Sequence, residues 1–322
     1  MNIARRFRKQ FEMAGTVKLD ACPLCGSKDT ALLWQLPQNR LPANTRLSAP
    51  GTSLDQLYLD YLPTLEAPQK LFRFDICGAC ETIFLNPKED DHAVYKRDVS
   101  KVESFRRLGT KEFVTSSNEY LSHLPVGSKC VVDLACGAGQ ALHVMRDARP
   151  DLRYIGLELS EPSVAFMRDE LGFEAHTVDL DNDDLDSIIP PGSVDFVIAQ
   201  EAYEHVRDPI TLVQKAARML RPGGRMWLTA QYWGDNALVI RVGEPVYINE
   251  IGFRLTLERS GLRVLKMRRD VKIRALLEKP ADTATADGSF DWAASKVVKK
   301  PSSAKTKKKP GWRKRLKRLF SR

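Results

Sequence analysis

The sequence of 322 residues has no uninterrupted apolar stretch as long as the roughly 18 residues that a membrane-spanning helix needs. Its N-terminus is basic but lacks the apolar core of a signal peptide. We therefore expect a cytoplasmic protein. Cysteine is also scarce, with six residues in the whole chain, which argues against a disulfide scaffold. In a reducing compartment, paired cysteines point to a metal site instead.

Acidic residues are absent after Asp291, whereas residues 296–322 contain thirteen Lys or Arg. Residues 1–9 add four more cations, so the net charge of +9 arises at the two ends of the chain. Without those ends, the central part carries a net charge of −8. A body that grips nucleic acid is more often basic, so the charge distribution disfavours RNA as the main partner of the folded part.

Composition and pattern divide the chain into five predicted segments. Residues 1–15 fit a basic amphipathic helix, and residues 18–90 carry two cysteine pairs in a zinc-ribbon-like module. Residues 91–279 begin with a helical stretch and continue with alternating strand and helix patterns. Residues 280–310, rich in Ala, Ser, Thr, Lys and Pro, read as a flexible linker, and residues 311–322 as a basic amphipathic tail.

The alternating patterns of the main domain predict an α/β fold with a mostly parallel sheet and helices on both faces. The last two predicted strands, 262–269 and 271–278, have no helix between them and should pair antiparallel. In such sheets ligands bind at the carboxyl ends of the strands, where the strand order reverses. Gly137 and Gly139 follow the first predicted strand and Glu158 ends the second, so we expect a cofactor there.

Five segments together make the prediction more specific. Asp133-Leu-Ala-Cys-Gly-Ala-Gly139 resembles motif I of the class I methyltransferases that use S-adenosylmethionine, and Gly156-Leu-Glu-Leu-Ser160 resembles their ribose-binding strand end. Val178-Asp-Leu180, Glu204-His-Val-Arg-Asp-Pro209 and Met219-Leu-Arg-Pro-Gly-Gly224 continue the series in order. The resemblance implies a Rossmann-like domain with a seven-stranded sheet and S-adenosylmethionine as cofactor.

The resemblance also assigns cofactor contacts by position. The implied cofactor-binding residues are Asp133, Ala135, Gly137, Gly139, Glu158, Leu159, Asp179, Leu180 and Gln200. Glu158 would hold the ribose, and Asp179 would lie near the adenine. The family usually has glycine where this chain has Ala135, and alanine adopts a positive φ only at a cost. The alternatives are an NAD-binding fold and a non-catalytic module that binds S-adenosylmethionine.

Candidate catalytic residues follow the fourth predicted strand. His205 could act as a general base, since neutral imidazole is available near pH 7, or could cap the local fold by hydrogen bonding. Tyr203 could line an acceptor pocket or pack in the core. Glu201, Glu204 and His205 together resemble the metal-binding pattern of some metal-dependent O-methyltransferases, so a divalent ion at these three residues is an alternative to a metal-free site.

The cysteine pairs Cys22-Pro-Leu-Cys25 and Cys77-Gly-Ala-Cys80 form two C-x₂-C knuckles, 51 residues apart. Four thiolates bind zinc tetrahedrally, and a closed site of this kind is structural because it leaves no open coordination position. A zinc ribbon ahead of a class I domain resembles methyltransferases that act on sugars and small metabolites in glycan and antibiotic pathways. It also resembles a group that methylates ribosomal RNA.

The apolar residues of the tail, Trp312, Leu316, Leu319 and Phe320, share one helix face with cations on the other. Such helices suit an anionic membrane surface, although an RNA contact or a solvated tail would also explain the pattern. Our leading hypothesis is O-methylation of a sugar, glycan or small-metabolite acceptor, peripheral to the inner membrane face. An RNA methyltransferase that uses the zinc module and tail is the alternative.

Overall fold

The computed structural model describes residues 16–37, 71–86, 88–89, 95–233, 245–269 and 272–281. The helices predicted over 1–15 and 311–322 lie outside these residues, as does the linker predicted over 280–310 apart from its first two residues. No helix in the described part of the chain has the length and apolar character needed to cross a membrane.

The strands, in chain order, are β1 (Thr16–Val17), β2 (Thr30–Pro37), β3 (Leu71–Cys77), β4 (Ile83–Leu85), β5 (Lys88–Glu89), β6 (Cys130–Leu134), β7 (Arg153–Glu158), β8 (Glu174–Thr177), β9 (Val194–Ala199), β10 (Leu220–Gln231), β11 (Val246–Tyr247), β12 (Arg263–Arg269) and β13 (Lys272–Glu278). The helices are α1 (Ser100–Leu108), α2 (Val114–Ser122), α3 (Gln140–Ala148), α4 (Glu161–Asp169), α5 (Pro209–Met219) and α6 (Glu250–Ser260). Single 3₁₀ turns occupy Lys111–Phe113 and Leu185–Ser187.

Seven of these strands form the main sheet, in the order β12-β13-β10-β9-β6-β7-β8. Strands β6, β7, β8, β9 and β10 pair in parallel, whereas β13 is antiparallel to both β10 and β12. The predicted seven-stranded α/β fold and its antiparallel final pair are thus confirmed. The strand order reverses at β6, so the loop after β6 lies at the crevice where such folds bind ligands.

Helices cover both faces of the sheet. The alternation of side chains between two apolar clusters along the strands shows this. In β6, Val131 belongs to one apolar cluster and Val132 to another, because successive side chains point to opposite faces. The first cluster includes Met145 of α3 and Met167 of α4, and the second includes Val213 of α5. Burial on both faces explains why every residue of β6 and β9 is buried.

The N-terminal module has its own sheet, in the order β11-β4-β3-β2. Its edge strand β11 comes from the main domain, between β10 and α6, and Val246 of β11 pairs with Phe84 of β4. Cys22, Leu24, Cys77 and Cys80 also belong to the same buried cluster as Tyr203 and Phe253 of the main domain. The predicted module and the predicted main domain therefore share a sheet and a core.

Candidate functional site

The loop between β6 and α3 turns through three left-handed residues. Ala135 has φ 56°, Gly137 has φ 58° and Gly139 has φ 78°. A Cβ atom at Gly139 would also lie 2.8 Å from the Met167 sulfur, so glycine is required there for space as well as conformation. Ala135 adopts this left-handed conformation at the energetic cost that a Cβ atom imposes.

Glu158 at the end of β7 holds this loop in place. Its Oε2 accepts a hydrogen bond from the Gly137 amide at 2.8 Å, and its Oε1 accepts from the Leu159 amide at 2.8 Å and the Ser160 amide at 3.0 Å. A carboxylate has about four acceptor positions, so one remains for a ligand hydroxyl. The side chain is only half-buried, which leaves that position reachable.

A second carboxyl group lies beneath the loop. Asp133 of β6 is buried, and this burial together with the nearby charge of Glu158 raises the pKa of Asp133 well above its ordinary value. The carboxyl ends of β6 and β7 thus bring two acids to one side of the crevice. Such a pair favours a ligand that carries positive charge.

Asp179, Leu180 and Gln200 lie at the same edge of the sheet. The Val178 amide donates to the Glu158 backbone oxygen at 2.8 Å, which places Asp179 next to the end of β7. Asp179 Oδ1 accepts from the Asp181 amide at 3.0 Å. Gln200 directly follows β9. The structure therefore brings the sequence-predicted cofactor residues to the ends of β6, β7, β8 and β9.

Helix α1, in the helical stretch that opens the predicted main domain, covers the loop, and no sequence pattern predicted this role. Val102 of α1 packs against Ala138 and Phe166. The Ser160 hydroxyl donates to the Asp98 backbone oxygen at 2.7 Å. The Lys101 side chain lies 3.7 Å from where a Cβ atom of Gly137 would be. The apolar pair Val102 and Phe105, three positions apart and thus on one helix face, was the available sequence signal for this packing.

A polar cluster occupies the ends of β9 and β10 and the start of β13. The Glu201 amide donates to Thr229 Oγ1 at 2.9 Å, and the Lys272 ammonium contacts the Glu201 carboxylate. Gln231 Nε2 donates to Glu204 Oε1 at 3.2 Å. Glu201 itself is left-handed, with φ 55°. Sequence reasoning missed Thr229, Gln231 and Lys272, and their position at strand ends was the available signal.

The three residues of the alternative divalent-metal site, Glu201, Glu204 and His205, do not converge in the described part of the structure. Among the residues that the structure describes, the four knuckle cysteines are the one group of three or more His, Cys, Asp or Glu ligands that lie within 4.8 Å of one another. Glu204 is fully buried while His205 is exposed, and Lys272 already pairs with Glu201. A divalent ion at Glu201, Glu204 and His205 is therefore not supported.

Tyr203 lies in the core and not in an open pocket. It is fully buried, and its hydroxyl is 2.7 Å from Thr256 Oγ1 of α6. Burial accordingly raises the pKa of Tyr203. The prediction that Tyr203 is catalytic is therefore corrected. The structure agrees with the alternative that Tyr203 packs in the core, because its buried ring leaves no face for an acceptor.

The four knuckle cysteines converge as predicted. Cys22 Sγ lies 3.6 Å from Cys80 Sγ, and Cys25 Sγ lies 3.5 Å from Cys77 Sγ. These distances exceed the about 2.05 Å of a disulfide. They are close to the roughly 3.8 Å edge of a tetrahedron with zinc–sulfur bonds of about 2.3 Å. The thiols therefore suit a tetrahedral zinc ion. Cys130 and Cys136 are buried elsewhere, as expected of packing residues.

A Rossmann-like sheet, a glycine loop at the strand-order reversal and an acid ending the next strand define a domain that binds a nucleotide-like cofactor. Comparison with known proteins narrows this class. Residues 132–226 match a family model described as a methyltransferase domain. This match assigns residues 132–226, which contribute five of the seven strands of the main sheet, to a methyltransferase domain.

Several curated relatives match this domain. The ubiquinone biosynthesis O-methyltransferase of Albidiferax ferrireducens is 27% identical over 135 residues, which cover 40% of this chain and 52% of the relative. That of Cupriavidus pinatubonensis is 33% identical over 124 residues, 38% of this chain and 49% of the relative. The 27-O-demethylrifamycin SV methyltransferase of Amycolatopsis mediterranei is 33% identical over 116 residues, 34% and 39% respectively. The chain thus spans about half the length or less of these relatives.

Parts of the chain are also similar to solved structures, at lower identity. A methyltransferase from Aquifex aeolicus that depends on S-adenosylmethionine is 16% identical, with a TM-score of 0.44, over 57% of this chain and 99% of that chain. The mitomycin 7-O-methyltransferase is 20% identical, with a TM-score of 0.45, over 58% of this chain and 59% of that chain.

The strain at Ala135 leads to a prediction about stability. Ala135→Gly should raise the free energy of unfolding by about 0.5–1 kcal/mol, because glycine adopts a positive φ without a Cβ penalty. Ala138→Gly in the same loop is the matched control, since Ala138 is buried and is not left-handed. That control should lower stability by about 1 kcal/mol. Urea unfolding measures both, and a destabilised Ala135→Gly variant would contradict the loop conformation.

Proposed function

We propose that this protein transfers a methyl group from S-adenosylmethionine to a hydroxyl group of a small-molecule acceptor. The observation that carries the proposal is the Glu158 carboxylate, which bonds the Gly137 amide and keeps an acceptor position beside a left-handed loop. This arrangement lies inside the region that matches the methyltransferase family model. The names of the relatives, which include O-methyltransferases, support oxygen as the methylated atom.

The residues at the strand ends suit this cofactor. Glu158 would accept the ribose hydroxyls, Asp133 would face the methionine part, and Asp179 and Leu180 would adjoin the adenine. When bound, S-adenosylmethionine supplies an electrophilic methyl group on a cationic sulfonium. Burial makes the ionised form of Asp133 costly, and a cationic ligand nearby would reduce that cost.

The remaining task for the protein is to orient the acceptor and remove its proton. As the acceptor oxygen bonds to the methyl carbon and the sulfur–carbon bond breaks, the hydroxyl proton must leave. His205 is the candidate base because it is exposed in the turn after β9 and a neutral imidazole can accept a proton. Lys272 pairs with the Glu201 carboxylate and orients it, and Gln231 orients the buried Glu204.

We further propose that Cys22, Cys25, Cys77 and Cys80 hold a structural zinc ion. All four thiols are used by such an ion, so it has no position for an acceptor and no catalytic role. The 3.5–3.6 Å sulfur separations support this assignment.

The acceptor is proposed to be a sugar, a glycan or another small metabolite, handled near the inner membrane face. Support comes from the zinc module ahead of the class I domain and from the basic ends of the chain, which lie outside the described residues. The acidic central part of the chain disfavours the RNA methyltransferase alternative.

Cofactor binding can be tested with S-adenosylhomocysteine by calorimetry. Glu158→Gln should weaken binding by about 10- to 100-fold, because one amide donor would face the new NH₂ group and a charge-assisted acceptor is lost. Glu161→Gln is the control, since Glu161 is exposed at the start of α4. Equal affinities for Glu158→Gln and the wild type would remove the cofactor assignment.

Metal content tests the zinc proposal. The purified protein should contain one zinc ion per chain, and Cys25→Ser should lose it and unfold at a temperature lower by roughly 10 °C. Cys130→Ser, a buried cysteine away from the cluster, should retain the metal. Wild-type protein that folds fully in a strong chelator with no bound zinc would refute the proposal.

Labelled S-adenosylmethionine and fractionated cell extract test the acceptor class. Label should enter a glycan or small-molecule fraction, and its enrichment among lipid-linked products would support action at the membrane face. Glu158→Gln should incorporate little label under the same conditions. Label confined to RNA would favour the alternative acceptor, whereas tight cofactor binding without any transfer would favour the non-catalytic module.

A further inference from the structure

Glu81 adopts a conformation that its side chain disfavours. It directly follows the Cys77–Cys80 knuckle and has φ 57°. The equivalent position after the first knuckle is Gly26, with φ 77°, where glycine carries no Cβ penalty. A glutamate kept in the left-handed region at a cost is a reason to ask what it contacts.

The backbone oxygen and the side-chain carboxylate of Glu81 both contact the main domain. Its backbone oxygen accepts a hydrogen bond from Trp233 Nε1 at 2.9 Å. Its carboxylate Oε2 accepts from Asn249 Nδ2 at 3.1 Å. Trp233 lies just after β10 and Asn249 just before α6, so one residue of the zinc-ribbon-like module holds both ends of the connection between these elements. We call the described residues between these two elements, 232–233 and 245–249, the β10–α6 connection.

These contacts continue toward the polar cluster at the strand ends. The Trp233 amide donates to the Ile248 oxygen at 3.0 Å, and the Ile248 amide donates to the Gln231 oxygen at 2.9 Å. The side chain of Gln231 in turn donates to Glu204. Asn249 Oδ1 also accepts from the Gly252 amide at 3.1 Å, which caps α6. Glu81 is thus joined to Gln231 through a short run of hydrogen bonds.

The module packs against the same connection on a second side. The Leu85 amide donates to the Pro245 oxygen at 2.7 Å, next to the pairing of β4 with β11. Leu24 of the first knuckle lies so close to Gly252 that a Cβ atom there would be 2.8 Å from its methyl carbon. Both knuckles therefore contact the start of α6, either directly or through Asn249.

We infer that Glu81 is a positioning residue that holds the β10–α6 connection against the four-cysteine cluster. It thereby orients Gln231 and Glu204 in the polar cluster at the strand ends, next to which the proposed acceptor would bind. The link to the acceptor rests on the proposed methyltransferase function. The inference assigns the zinc-ribbon-like module a role in shaping the active site, beyond its own folding. The cofactor loop, at the ends of β6 and β7, is not part of this path.

Glu81→Gly separates this role from a merely local one. Glycine suits φ 57° better than glutamate, so a local role predicts a neutral or stabilised protein. The positioning role predicts that the hydrogen bond from Asn249 is lost while the zinc content stays unchanged. Amide hydrogen exchange in peptides covering 245–249 should then become about tenfold faster, as expected for loss of a charge-assisted hydrogen bond. Glu81→Gln keeps an acceptor oxygen and should restore near-wild-type exchange.

Kinetics provide a second readout. With the acceptor fraction that the wild-type protein labels, Glu81→Gly should lower kcat/KM by about tenfold, mainly through KM for the acceptor. Its affinity for S-adenosylhomocysteine should stay within about twofold of the wild type. Glu250→Gln is the matched control. Glu250 follows Asn249 in the first turn of α6 and pairs with Arg254.

A double-mutant cycle completes the test. Asn249→Ser keeps an N-cap oxygen for α6 but removes the amide donor to Glu81, so its effect on exchange should be less than additive with that of Glu81→Gly. Additive effects, unchanged exchange in Glu81→Gly, or an equal loss of cofactor and acceptor binding would overturn the inference. Failure of the wild type to bind S-adenosylhomocysteine would refute the proposed function separately, and the exchange data would still decide whether Glu81 holds the connection.

Discussion

The hydrogen bond between the Gly137 amide and the Glu158 carboxylate ties the cofactor loop to the end of the neighbouring strand. It requires the chain to turn back immediately after β6, which the left-handed residues Ala135, Gly137 and Gly139 permit. It also places Glu158 beside Asp133, so that two acids share one crevice. The covering helix α1 and the turn after β8 are arranged around this point of contact.

Backbone strain is concentrated at three places for which a function is proposed. The non-glycine residues with positive φ in the described ranges are Glu81, Ala135 and Glu201. One lies at the second cysteine knuckle, one in the loop after β6 and one beside Lys272 in the polar cluster at the strand ends. Each such residue costs of order 1–3 kcal/mol and persists only where the surroundings hold it in place. Here those surroundings are hydrogen bonds and ion pairs from other elements.

The zinc-ribbon-like module and the methyltransferase domain are joined through structure that belongs to both. Strand β11 leaves the main sheet region to pair with β4, and Leu24 and Cys80 share a core with Tyr203. Separating the two units would expose this apolar surface and the edge of β4. The module therefore packs as an integral part of the domain, in agreement with the contacts of Glu81 with Trp233 and Asn249.

Short-range sequence features determined the secondary structure of the main domain and the position of the cysteine cluster. The strand–loop–helix series, the Asp208-Pro209 start of α5 and the two cysteine knuckles were readable because their signals are local, as hydrophobic period, capping and spacing. Tertiary structure alone decided the pairing of Lys272 with Glu201, the burial of Tyr203 and Glu204, and the placement of β11 on β4. Lys272 and Glu201 lie 71 residues apart in sequence. Such contacts depend on which strands become neighbours and on the register between them, and no local pattern encodes either.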